Sequence, residues 1–168
     1  MRWNTVRCFA CSAISGIASN LQGLRQDANT QLKTNVANVN DLISKIYDLN
    51  KSIKGAVANG DTASGLLDQR DRAISDLAKF VDIRSYEQAD GRVFVSLGDG
   101  TALVSDLSSE FRYPGPSAVG ATTSFPSLTL QRTNPEGGND VGPMMASATL
   151  ILLPLMLAFL RSEERRVG

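Results

Sequence analysis

The chain has 168 residues, enough for one ordinary domain or for two small or elongated ones, and its seventeen Lys+Arg are balanced by seventeen Asp+Glu. Such a balance supplies no global charge to recruit nucleic acid or an anionic membrane surface. Histidine is absent, which removes the usual general base near neutral pH and the commonest metal ligand, and aromatics at 6% suit long helices with narrow apolar stripes rather than one large compact core.

In residues 1–16 two arginines precede a few apolar residues, but Ser12 and Ser15 interrupt a run already too short for a secretory h-region. No cleaved signal peptide is expected. Cys8 and Cys11 form a lone CFAC pair. A zinc site needs about four ligands, and no second Cys or His pair exists to complete one. A redox CxxC normally opens a helix after a strand, and no βαβ pattern is visible. No metal or cofactor site is assigned. The lack of cysteine from residue 12 to 168 fits a protein exported without disulfides.

From Ile14 to Val57 apolar residues recur at Ile14, Ile17, Leu21, Leu24, Ala28, Leu32, Val36, Val39, Leu42, Ile46, Leu49, Ile53 and Val57. Their mean spacing of about 3.6 is the α-helical period. A helix over about 17–57 would run about 60 Å, which suggests a coiled-coil or bundle element. Steps of 3,4,3,4 as far as Ala28 give way to steps of four around Leu32 and Val36, a stutter that loosens supercoiling locally. Asn29, Asn35, Asn38, Asn40 and Asn50 are weak helix formers, so packing must supply much of the stability.

The NGDTASG segment, 59–65, reads as a loop. A second helix is predicted over about 66–81, with Leu67, Ile74, Leu77 and Val81 along one side. Asp68 and Asp71 in its first turns suit the helix dipole, and Lys79 suits its last turn. Two striped helices joined by a short loop read as an antiparallel helical hairpin spanning 17–82. The period then changes to two. Val81, Ile83 and Ser85 alternate with Asp82, Arg84 and Tyr86; Val93, Val95 and Leu97 alternate with Arg92, Phe94 and Ser96. Asp90-Gly91 and Gly98-Asp99-Gly100 offer turns on either side of the second run, before Ala102-Leu103-Val104. The expectation is a small antiparallel β-hairpin or three-stranded meander. Residues 105–142, rich in Ser, Gly, Pro and Thr, are expected to be loops with one edge strand at 127–131. The fold class is therefore α+β, a helical-hairpin rod of coiled-coil type followed by a β-rich region over 83–142. Residues 143–160 are uncharged and just reach the lower length for a membrane span, with Pro154 in the middle.

Several pieces together resemble a known family. ASNLQGLRQDANTQLKTNVANVNDLISKIYDLNKSI (18–53) contains Val39-Asn40-Asp41-Leu42, Ile46, Leu49-Asn50 and Ile53. It is followed by LLDQRD (66–71), a strand, an acidic-Gly turn and a G-D-G-x-x-LV close over Gly98–Val104. In order, spacing and residue type this is similar to the flagellar hook-associated protein 1 family, the hook–filament junction proteins. The resemblance covers 17–104 well and 105–142 loosely. It implies a structural, non-enzymatic subunit of the bacterial flagellum, extracellular, exported through the flagellum's own channel. Implied partners are other axial subunits (hook, second junction protein, filament) and copies of itself, with no nucleic acid and no small-molecule substrate. Residues 1–16 and 143–168 depart from the pattern, and the closing RSEERRVG resembles a translated adapter sequence. The expectation is a family fragment with non-native ends that cannot polymerise by itself. A membrane-tethered coiled-coil protein, anchored by 143–160, is the alternative.

The charged side chains carry no catalytic pattern. Asp68, Asp71 and Asp76 interleave with arginines and read as a solvated helix face, with contacts of Asp68, Arg70 and Arg72 to a neighbouring subunit left open. The Asp-Gly pairs lack the alternating oxygen ligands of an EF-hand and read as turns. Gly98-Asp99-Gly100 lacks the lysine of a phosphate-binding loop. No catalytic, cofactor-binding or metal residues are assigned.

Overall fold

The computed structural model describes residues 3–133 and 141–144. Helix α1 runs Trp3–Ala58 and α2 runs Ser64–Leu77. Six strands follow: β1 (Ile83–Glu87), β2 (Val93–Leu97), β3 (Ala102–Val104), β4 (Ser108–Arg112), β5 (Thr129–Thr133) and β6 (Val141–Met144). Each strand pairs antiparallel with the next, so the sheet is a meander in the order β1-β2-β3-β4-β5-β6. The α+β class stands, and the meander is larger than the expected hairpin or three strands.

Helix α1 begins at Trp3, well before the expected start near residue 17. No proline interrupts residues 3–16, and a single Gly16 costs a helix only about 1 kcal/mol. The second helix ends at Leu77 rather than near 81; turn bonds from the Phe80 and Val81 amides to the Leu77 carbonyl carry the chain onward. β4 was not expected, because SSEFR has no apolar alternation beyond Phe111. The strand expected at 127–131 is β5, shifted to 129–133, and it is paired on both sides rather than at an edge. β6 takes in Pro143 and Met144, and the rest of the apolar run to residue 160 lies outside the described residues. No described helix is long and apolar enough to cross a membrane.

The chain divides into two compact units, one of residues up to 34 with 114–126, the other of 35–113 with the residues from 127 onward. In the first, the irregular segment 114–126 is bound to α1 through side chains. Arg25 donates to the carbonyls of Gly120 (2.9 Å), Ala121 (3.0 Å) and Thr123 (2.6 Å), and its guanidinium lies 5.2 Å from the centre of the Phe125 ring. Gln26 accepts from the Val119 amide, while Asn29 and Lys33 both donate to the Pro116 carbonyl.

In the second unit one hydrophobic core joins Val39, Ile43 and Ile46 of α1, Ala73 and Leu77 of α2, and the inward side of the sheet: Val93, Val95, Leu97, Leu103, Phe111 and Leu130. The buried line of α1 keeps Val39, Ile46, Leu49 and Ile53 of the period count and adds Ile43 and Asn50, while Leu42 is half-buried. Two asparagines complete the sheet. Asn50, 3% exposed, donates to the Val93 carbonyl at 2.7 Å and accepts from the Val93 amide at 3.0 Å. Asn40 does the same for Phe111, donating at 2.9 Å and accepting at 2.8 Å. The cause is the shortness of β3, three residues. With Val95 opposite Val104 and Val104 opposite Ser108, Val93 lies past one end of β3 and Phe111 past the other. Their peptide groups have no strand to meet, and a carboxamide offers the same donor–acceptor pair as a peptide.

Candidate functional site

From Cys11 to Leu24 of α1 every residue is exposed, including Ile14 (66%), Ile17 (68%), Leu21 (57%) and Leu24 (60%). Their 3-4-3 spacing is that of a coiled-coil seam, which places them along one side of the helix. Burying a large aliphatic side chain is worth about 1.5–3 kcal/mol, so this partly exposed stripe leaves roughly 4–8 kcal/mol of burial unused.

The charged residues of α2 and of the turn that follows it divide differently from the sequence expectation. Asp68, Asp71, Arg72, Asp76 and Lys79 are exposed, as a solvated face should be. Asp76 and Lys79 form an ion pair at 2.6 Å, and that hydrogen bond with the lysine charge holds the Asp76 carboxyl below its ordinary range. Arg70 departs from the expectation: it is 3% exposed and belongs to the buried line with Ala73 and Leu77. It donates to the Gly91 carbonyl at 2.5 Å and reaches Glu87 at 3.5 Å, while its buried Nε has no hydrogen-bond partner among the described residues. The LLDQRD motif thus pins the β1–β2 turn. Gly91 holds φ 81 there, a left-handed conformation that favours glycine.

The two Asp-Gly pairs serve as turns. Asp90 accepts from the Arg92 amide and Asp99 from the Thr101 amide, with Gly91 and Gly100 at positive φ. Arg92 is held between Asp106 and Asp90, which raise its pKa. Burial pushes the Asp90 carboxyl up, but the hydrogen bonds and charge of Arg92 outweigh it and the net direction is down. Burial alone raises the Tyr113 phenol. An open cleft of about 480 Å³ lies beside this cluster, lined by Tyr47, Lys51, Lys54, Arg92, Ser105 and Asp106 among others. The Ser105 hydroxyl in it donates to the Leu107 carbonyl. Cys11 is an exposed free thiol on α1.

The residues sequence reasoning undervalued are Asn40, Asn50 and Arg70. All three fall inside the VNDL, LN and LLDQRD pieces that carry the family resemblance.

A family model, the flagellar hook-associated protein FlgK helical domain, matches residues 10–141. The flagellar hook-associated protein 1 of Bacillus subtilis (strain 168) is 35% identical over 92 residues. That alignment takes in 54% of this chain and 18% of the relative, so the chain spans under a fifth of that protein's length. Since the family match runs through both helices and the strands that Asn40, Asn50 and Arg70 tie to them, the chain belongs to the family of the flagellar hook-associated protein FlgK helical domain.

Proposed function

We propose that the chain acts as a structural, non-catalytic part of the hook–filament junction. It would sit outside the cell after export through the flagellar channel, contributing to flagellum assembly by packing α1 against helices of neighbouring axial subunits. The hook, the second junction protein, the filament and further copies of the chain are the partners this reading names. The observation that carries it is the stripe Ile14, Ile17, Leu21 and Leu24, four large aliphatic side chains left in water at coiled-coil spacing. The family match and the partial identity to a hook-associated protein 1 support the flagellar setting.

The test is direct. Purified chain is added to isolated hook–basal bodies and located by immunogold labelling. Label at the distal end of the hook, lost in the variant carrying Leu21→Lys and Leu24→Lys, is the expected result. Absence of label, or label unaffected by the two lysines, overturns the reading.

A further inference from the structure

Strand β1 has one covered edge and one open edge. Among the described residues it ends the sheet, pairing with β2 alone. The ladder is bounded by bonds from the Gln88 amide to the Arg92 carbonyl (2.7 Å) and from the Gly98 amide to the Asp82 carbonyl (3.1 Å). Bonded and non-bonded pairs alternate along an antiparallel ladder. The even-numbered residues of β1 therefore bond to β2, and the backbone N–H and C=O of Ile83, Ser85 and Glu87 are directed to the open edge. Arg84, Ser85, Tyr86 and Glu87 are all exposed. Unpaired edges of this kind are templates for another strand.

The side chains select which strand. Ile83, Ser85 and Glu87 share a side of the sheet with Leu97, Val95 and Val93, and Arg84 and Tyr86 lie on the opposite side. There Tyr86 stacks on Phe94 with ring centres 4.8 Å apart. Arg84 makes no ion pair among the described residues. We propose that β1 is a self-association edge, on which two copies of the chain pair their β1 strands antiparallel about a two-fold axis at Ser85. In that register Ser85 lies opposite Ser85 of the second copy and Ile83 opposite its Glu87. All three outward-facing residues meet outward-facing partners, giving about six backbone hydrogen bonds. Arg84 lies opposite Tyr86 of the second copy, twice, placing an unpaired guanidinium over a ring whose other side is already stacked.

Neighbouring registers are worse. A slip of one residue turns the inward side of one copy outward. A slip of two sets Arg84 against Arg84, or Tyr86 against Tyr86, and shortens the overlap. The two-fold pairing is isologous and closes on itself, so it is a dimer contact and not the head-to-tail contact that extends a filament. It is independent of the α1 stripe.

Sedimentation equilibrium of the whole chain under reducing conditions, from about 1 μM to about 1 mM, tests it. The expected result is a concentration-dependent dimer that Ser85→Pro abolishes. Proline removes a donor aimed at the open edge and is tolerated on an edge strand. Arg84→Glu should weaken the dimer at least about tenfold. In a Cys8→Ser/Cys11→Ser background, Ser85→Cys should oxidise to a covalent dimer, since a bonded pair has Cα atoms about 5.5 Å apart. A chain monomeric throughout, or a dimer abolished by Leu21→Lys/Leu24→Lys while surviving Ser85→Pro and Arg84→Glu, overturns the proposal; the latter result leaves the helix-packing function standing.

Discussion

Replacing Asn50 by alanine tests the sheet-completion argument most severely. The change strips both partners from Val93, leaving an amide and a carbonyl that Asn50 held at 3.0 and 2.7 Å in a buried setting. Each stranded buried group costs about 1–3 kcal/mol, so the variant should lose about 2–6 kcal/mol. With a urea slope of about 2 kcal/mol/M, the midpoint followed by far-UV circular dichroism should fall by about 1–3 M at unchanged slope. Asn40→Ala, whose partner Phe111 is tied in a part-buried setting, should lose about 1–2 kcal/mol. Asn38→Ala, at an exposed position, should stay within about 0.5 kcal/mol of the parent. Asn50→Asp adds a pH signature. Its ionised carboxylate would face the Val93 carbonyl while buried, and both effects raise the folded-state pKa above the unfolded value of about 3.9. The variant is then most stable below that unfolded value and loses stability as pH rises through the folded one. A loss under about 0.5 kcal/mol for Asn50→Ala, equal to the Asn38 control, would refute the reasoning.

Arg70→Ala should cost about 1.5–3 kcal/mol by removing a charged donor from the Gly91 carbonyl, whereas Glu87→Gln, at an exposed and longer contact, should shift the urea midpoint little. Equal losses would mean that the ion pair, not the turn, is what Arg70 serves. The Asp90 carboxyl, depressed in the folded state, contributes stability above about pH 3.9 that is lost as pH falls through its folded value. Asp90→Asn should accordingly flatten the acid limb of the stability curve, and an unchanged limb contradicts this. Arg25→Ala removes three carbonyl contacts from 114–126, so elastase, which cuts after small residues, should cleave near Ala118 to Ala121 about tenfold faster; an unchanged rate places the hold elsewhere.

Periodicity made the helices and the first three strands legible, because burial imposes a period of 3.6 on one and two on the other. Strand β4 was illegible because its inward positions include Ser109, whose hydroxyl is satisfied by the Ala102 carbonyl, so no apolar alternation was written. The asparagines were read as weak helix formers needing outside help, and Arg70 as part of a wet face. Both readings follow from treating polarity as a sign of water. A buried polar group with a partner gives no such sign, and its partner, a strand peptide many residues away in sequence, leaves no local pattern. The uncovered stripe was legible as a stripe, while its exposure was not, since spacing alone does not say what stands opposite.

The same polar residues answer why α1 holds one position on this sheet. Apolar contact is non-directional, and a helix lying on Val93, Val95 and Leu97 could slide by a turn, about 5.4 Å, and find new aliphatic neighbours. Asn40 and Asn50 forbid that. They stand about 15 Å apart along the helix and each must meet both groups of one particular peptide, past opposite ends of β3. A slip of one turn strands four backbone groups at once, a penalty of roughly 4–12 kcal/mol that no regained aliphatic contact offsets. Two leucines in their place would keep the burial and lose the position, and so the asparagines, poor helix formers and costly to bury alone, are what convert a greasy contact into a defined one.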